Sequence, residues 1–152
     1  MDSSAQRKGQ ALANSRILVG VSSPWASEKF AAPIIDLAQR LGAALDIAHV
    51  AQVQEEDDHE SDAKARGEQT LKLLVDALLE AGLEAEPILL FSDDVAKALL
   101  NTAHARGCTL IVLGLTGKSM FKRLIRGDVP GNIIRQTDIP VLLFPAATME
   151  KV

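Results

Sequence analysis

The sequence predicts an α/β domain: an open, doubly wound, five-stranded parallel sheet with helices on both faces. Three observations lead there. Short aliphatic runs alternate with longer segments whose apolar residues recur at steps of three and four. The short runs are apolar almost throughout, the pattern of strands covered on both sides. Each helix-like segment stands between two such runs, so right-handed crossovers wind the chain onto both faces.

Arg16 to Val21 (RILVGV) is the first strand, broken by Ser22, Ser23 and Pro24. Phe30, Ile34, Ile35, Leu37, Ala38 and Leu41 then make one helix face, closed by Gly42. Pro33 falls within it, so either the regular helix begins near Pro33, in its first turn, or the proline introduces a kink. Ala44 to Val50 (ALDIAHV) is the second strand. An acidic stretch with Glu55, Glu56, Asp57, Asp58, Glu60 and Asp62 reads as a solvated loop leading into a helix, where carboxylates suit the N-terminal dipole. A metal site built from these and His59 would need a fixed ligand spacing, and none is visible. Leu71, Leu74, Val75, Leu78 and Leu79 form the second helical stripe, ending at Gly82. Glu86 to Phe91 is the third strand. Ser92 is the expected N-cap of the third helix, with Asp93 and Asp94 in its first turn. That helix buries Val95, Leu99, Leu100 and Ala103 and ends at Gly107. Leu110 to Leu113 is the fourth strand, a glycine-punctuated loop runs from Gly114 to Gly127, a short helix follows, and Ile139 to Phe144 is the fifth strand.

A chain of 152 residues is one domain by length. We expect a floppy leader over residues 1–15, the folded domain over 16–146 and a tail over 147–152. No apolar run approaches the roughly 18 residues of a membrane span. A single cysteine, Cys108, excludes an internal disulfide framework and agrees with a reducing, cytoplasmic setting. A net charge of −4 and an aromatic content of 3% without tyrosine argue against a nucleic-acid surface. Cys108 reads as a small buried apolar residue, Trp25 as a packing anchor or a lid over the site, and His49 as a packing or hydrogen-bonding residue at a strand end. His59 and His104 have no recognisable partners, and no motif for acyl transfer, redox chemistry or metal hydrolysis appears.

In a sheet of this kind ligands bind beyond the carboxyl ends of the strands, so the loops after strands one, two and four matter. The loop after strand four carries Gly114 and Gly117, nine intervening residues, then Gly127. Glycines let backbone approach a ligand, and turn amides followed by a helix N-terminus suit an anion. Lys118, Lys122, Arg123 and Arg126 lie between, either as phosphate contacts or as solvated surface charge. Gly117-Lys118-Ser119 is not a P-loop, because the required glycine five positions earlier is Val112, inside the strand.

The G-x2-G-x9-G spacing, the opening RILVGV, His49-Val50 and the closing Asp138-Ile-Pro-Val-Leu-Leu-Phe144 resemble the universal stress protein family, over Arg16 to Phe144. The resemblance implies the adenine nucleotide alpha hydrolase-like fold with strand order 3-2-1-4-5. It also implies a stress-response or signalling role through binding rather than turnover. Adenosine would lie between the ends of strands one, two and four, with its phosphates on the glycine loop. Carried onto this chain, the turn after strand one is Gly20, Val21 and Ser22, where the family usually has a nucleoside-contacting aspartate in place of Ser22. Val50 and Leu113 keep the apolar contacts around adenine. Gly114, Thr116, Gly117, Gly127 and Val129 fit the phosphate loop, but Asp128 and Pro130 stand where the family has Ser or Thr. An ionised carboxylate offers no donor and opposes a phosphate about 4 Å away by roughly 4 kcal/mol. Asp128 also suits the N-cap of the last helix. The implied ligand is ATP or AMP, with magnesium admissible beside the phosphates and no cofactor required. The implied partner is a second copy, paired through Val141, Leu142, Leu143 and Phe144 of the last strand. A nucleotide-independent dimeric interaction module and a slow nucleotide hydrolase are the rival readings.

Overall fold

The computed structural model of the chain describes residues 15–52, 59–114 and 129–145. The elements run β1 (Arg16–Gly20), α1 (Pro24–Leu41), β2 (Ala44–Ala51), α2 (Glu60–Glu80), β3 (Ala85–Phe91), α3 (Val95–Ala105), β4 (Leu110–Gly114), α4 (Val129–Gln136) and β5 (Val141–Phe144). The strands form one parallel sheet in the order β3-β2-β1-β4-β5, as the family resemblance implies.

Strand alternation divides the core in two. On one face Ile17, Val19, Leu45, Ile47 and Val112 pack under Phe30 and Ile34 of α1 and Leu71, Leu74 and Leu78 of α2. On the other, Leu18, Ala48, Ile111 and Leu113 pack under Leu99, Leu100 and Ala103 of α3 and Ile133 of α4. Each large aliphatic side chain buried this way contributes about 1.5–3 kcal/mol. Phe30 meets Phe144 edge to face at 5.4 Å, which ties α1 to the far strand.

The start of one helix is decided between the two alternatives, and that of another differs from expectation. Helix α1 begins at Pro24, not near Pro33: Ser23 Oγ accepts from Ala26 N–H at 3.1 Å, and Pro24 takes the first turn, where its missing N–H costs nothing. Pro33 is internal to the helix, and the buried stripe Ala26, Ser27, Phe30, Ile34 and Ala38 continues through it. Helix α3 is capped by Asp94 rather than Ser92. The Ser92 hydroxyl accepts from Asp94 N–H at 3.0 Å in its own tight turn, which leaves Asp94 Oδ1 to accept from Lys97 N–H at 3.0 Å. Gly42 closes α1 at φ 63°, donating its N–H to the Ala38 carbonyl, as expected of a left-handed cap.

Strand β2 is not apolar throughout. Asp46 is wholly buried near the amino ends of the strands. Arg16 grips it with Nε–H to Oδ2 at 3.0 Å and Nη2–H to Oδ1 at 2.9 Å. Arg106 adds Nη2–H to Oδ1 at 3.0 Å and also pairs with Glu86. Arg106 Nε sits 3.0 Å from Oδ2 as a charge contact, its N–H not aligned on it. Burial alone would raise the Asp46 carboxyl, but the hydrogen bonds from Arg16 and Arg106 outweigh it and hold it down at about 2. Cys108 is buried, as expected, yet in charged company: its thiol donates to Asp46 Oδ2 at 3.5 Å. Burial, then the Asp46 charge, push that thiol up to about 12 and keep it protonated.

Candidate functional site at the carboxyl ends of the strands

The site is set by register. Gly20, the last residue of β1, stands opposite Ala48 of β2 on one side and Leu113 of β4 on the other. Chains leave the sheet in opposite directions around β1, so a crevice opens beyond it. Gly20 brings the strands close: a Cβ there would lie 2.9 Å from Leu113 Cδ2 and 3.4 Å from Leu99 Cδ1. Val21 carries β1 one step further, its N–H donating to the Ala48 carbonyl at 3.0 Å. Ser22 is exposed at the mouth, and Ser23 is occupied in capping α1.

Of the expected residues, the structure brings Gly20, Val50, Leu113, Val129 and Pro130 to this end of one face, and Gly114 ends β4 beside them. Val50 and Val129 pack against the cluster that holds Leu113, giving the crevice an apolar floor. Val21 differs: its side chain belongs to the opposite core and its N–H and C=O are bonded to Ala48 and His49, so of this turn Ser22 is the residue exposed towards a ligand. Pro130 is buried in the first turn of α4 and contributes shape rather than a donor. Thr116, Gly117, Gly127 and Asp128, with Lys118, Lys122, Arg123 and Arg126, lie outside the described residues, as do Glu55 to Asp58 of the acidic stretch.

His49 was expected to pack or to hydrogen-bond, and it does both: its Nδ1 lies 2.8 Å from the Val21 carbonyl and must donate to it. Burial lowers its basicity, the Val21 bond partly restores it and the Arg66 charge lowers it again, so the ring sits neutral with the proton on Nδ1. Gly67 of α2 makes room for the ring, since a Cβ there would meet His49 Cδ2 at 2.8 Å and Leu89 Cδ1 at 2.6 Å. Glycine in mid-helix costs about 1 kcal/mol against alanine, and this close approach is its reason. Nothing in the sequence alone links positions 21, 49 and 67.

Other expectations change. Trp25 is not a packing anchor: it is 42% exposed beside the β1–α1 turn, with Lys29 Nζ 6.0 Å from its ring centroid. His104 gains a partner across the fold, Asp138 Oδ1 at 3.2 Å from its Nε2. His59 precedes α2 without a side-chain capping bond. Among the described residues no cluster of three or more His, Cys, Asp or Glu could hold a metal ion, and no helix is long and apolar enough to cross a membrane. An open groove of about 580 Å³ lies at the outer edge of the sheet, against Leu90, Phe91 and Lys97, and shares no residue with the crevice.

The model of the universal stress protein family matches residues 13–145. Among curated proteins none matches. Three solved structures match along nearly their whole length. A protein of that family from Burkholderia pseudomallei is 24% identical, with 88% of this chain and 98% of that one covered and a TM-score of 0.66. The universal stress protein from Archaeoglobus fulgidus in complex with dAMP is 19% identical, at 85% and 96% coverage and a TM-score of 0.62. A family protein from Arabidopsis thaliana with AMP bound is 15% identical, at 91% and 96% coverage and a TM-score of 0.62.

Proposed function

The chain belongs to the universal stress protein family, and we propose that it acts by binding an adenine nucleotide in the crevice beyond β1, without turning it over. The observation that carries this reading is the meeting of the Gly20–Ser22 turn with Val50, Leu113 and Gly114 around an apolar floor at the switch point of the sheet. Proteins of the same fold hold dAMP and AMP, which supports the ligand class. The G-x2-G-x9-G loop supplies the phosphate contacts, with Asp128 beside them disfavouring a triphosphate against a monophosphate.

Titration calorimetry with ATP, ADP and AMP, with and without magnesium, tests this. Micromolar AMP binding that is abolished by Gly117→Val is the expected result, and no binding up to millimolar nucleotide would overturn it. The single tryptophan, three residues from Ser22 in a chain without tyrosine, gives an independent fluorescence signal.

A second reading, compatible with the first, is a homodimer through β5. The two sheet edges are unlike. Leu45 N–H bonds the Glu84 carbonyl, so along β3 residues 85, 87, 89 and 91 direct their backbone outward, and one of these is Pro87, which has no N–H to offer. Strand β5 carries no such guard: Ile111 N–H bonds the Pro140 carbonyl, so Val141 and Leu143 direct their N–H and C=O outward.

A further inference from the structure

The β1–β2 ladder stops one residue earlier than its backbones allow. Pairing runs from Arg16 opposite Ala44 to Gly20 opposite Ala48. Half of the next bridge, Val21 opposite His49, is in place, because Val21 N–H donates to the Ala48 carbonyl. The other half of a parallel bridge would be Val50 N–H donating to the Val21 carbonyl. That pairing is not formed, and the Val21 carbonyl accepts from His49 Nδ1 at 2.8 Å. The ring is held there from behind by the gap at Gly67 and by Leu89. Since Ala48 directs its carbonyl at β1, the alternation directs the Val50 amide the same way, past the point where β1 turns off at Ser22.

We propose that His49 is a positioning residue for this site: its imidazole takes the Val21 carbonyl, halts the zipping of β1 onto β2, and so leaves the Val50 N–H as a donor to a bound heterocycle. The ring itself stays behind the strand and touches no ligand. A strand-end amide is a rigid donor that costs no side-chain entropy to aim, provided the neighbouring strand does not consume it. The inference rests on the nucleotide-binding reading above, but its first readout does not need a ligand.

The test is amide hydrogen exchange by NMR on the full chain, with AMP titration alongside, for the native protein, His49→Phe and His49→Asn. The asparagine amide nitrogen stands near the place of Nδ1 and keeps a donor for Val21; phenylalanine keeps the bulk and loses it. In the native protein Val50 N–H should exchange at least about tenfold faster than Ala48 N–H. In His49→Phe the Val50 amide should slow towards Ala48 and AMP affinity should fall about tenfold, whereas His49→Asn should hold both within about threefold of native. Equal protection of Val50 and Ala48 in the native protein overturns the proposal, as does a folded His49→Phe with native exchange and affinity. If His49→Phe does not fold, the native comparison and His49→Asn decide. A native protein that binds no AMP overturns the nucleotide reading, and the exchange data then judge the role of His49 separately.

Discussion

Near the amino end of β2, Asp46 occupies a wholly buried place where a charge is tolerated only because two guanidinium groups meet it. Arg16 comes from β1 and Arg106 from the turn after α3, and both reach the carboxylate from the amino end of the sheet. Its folded carboxyl sits at about 2 against an ordinary 3.8. A carboxyl depressed by folding contributes stability above its unfolded value and loses it as pH falls through the folded one. The window is therefore pH 4 down to about 2, and the contribution is about 2 kcal/mol. Acid unfolding followed by circular dichroism should show the native protein losing about that much more than Asp46→Asn across the window. At pH 7 Asp46→Asn should be the less stable by about 3 kcal/mol, because the two arginines lose their buried counter-charge and keep only the exposed Glu86. Equal acid sensitivity of the two proteins would remove Asp46 from the account.

Helix α3 shows how an element chooses its own beginning. Ser92, Asp93 and Asp94 are all competent caps by type. The choice falls on Asp94 because Ser92 is engaged by the Asp94 N–H, and because Gln52 Nε2–H, from the end of β2, bonds the Asp93 carbonyl at 3.2 Å and holds the turn from outside. Asp94→Ala should cost about 1 kcal/mol in chemical denaturation, with Ser92→Ala costing clearly less. The reverse order would return the cap to Ser92.

At the scale of the whole molecule, the sheet has two poles and two edges with different tasks. The amino pole is locked by the Asp46 cluster, while the carboxyl pole carries the crevice. Of the edges, β3 is guarded by Pro87 and β5 is open. A proline at an outward N–H removes pairing with a neighbour while sparing the ladder to β4. Light scattering should therefore give a dimer for the native protein and a monomer for Leu143→Pro, with far-ultraviolet circular dichroism unchanged. A native monomer would end the β5 reading, and a dimer that survives Leu143→Pro would move it to another surface.

The sequence by itself determined the element order, the Gly42 cap and most of the core faces, Leu41 and Leu79 being the exposed exceptions, because these follow from local periodicity, turn chemistry and the handedness of crossovers. It also carried the family, through glycine spacing and flanking strands. Only the tertiary structure decided the rest. Asp46 reads as an interruption until Arg16 and Arg106, 30 and 60 residues away, are brought beside it. Gly67 reads as a weakness in a helix until His49 and Leu89 press against it. His49 reads as a strand-end histidine until register sets it beside the Val21 carbonyl. Each depends on contacts between distant segments, which no local pattern encodes.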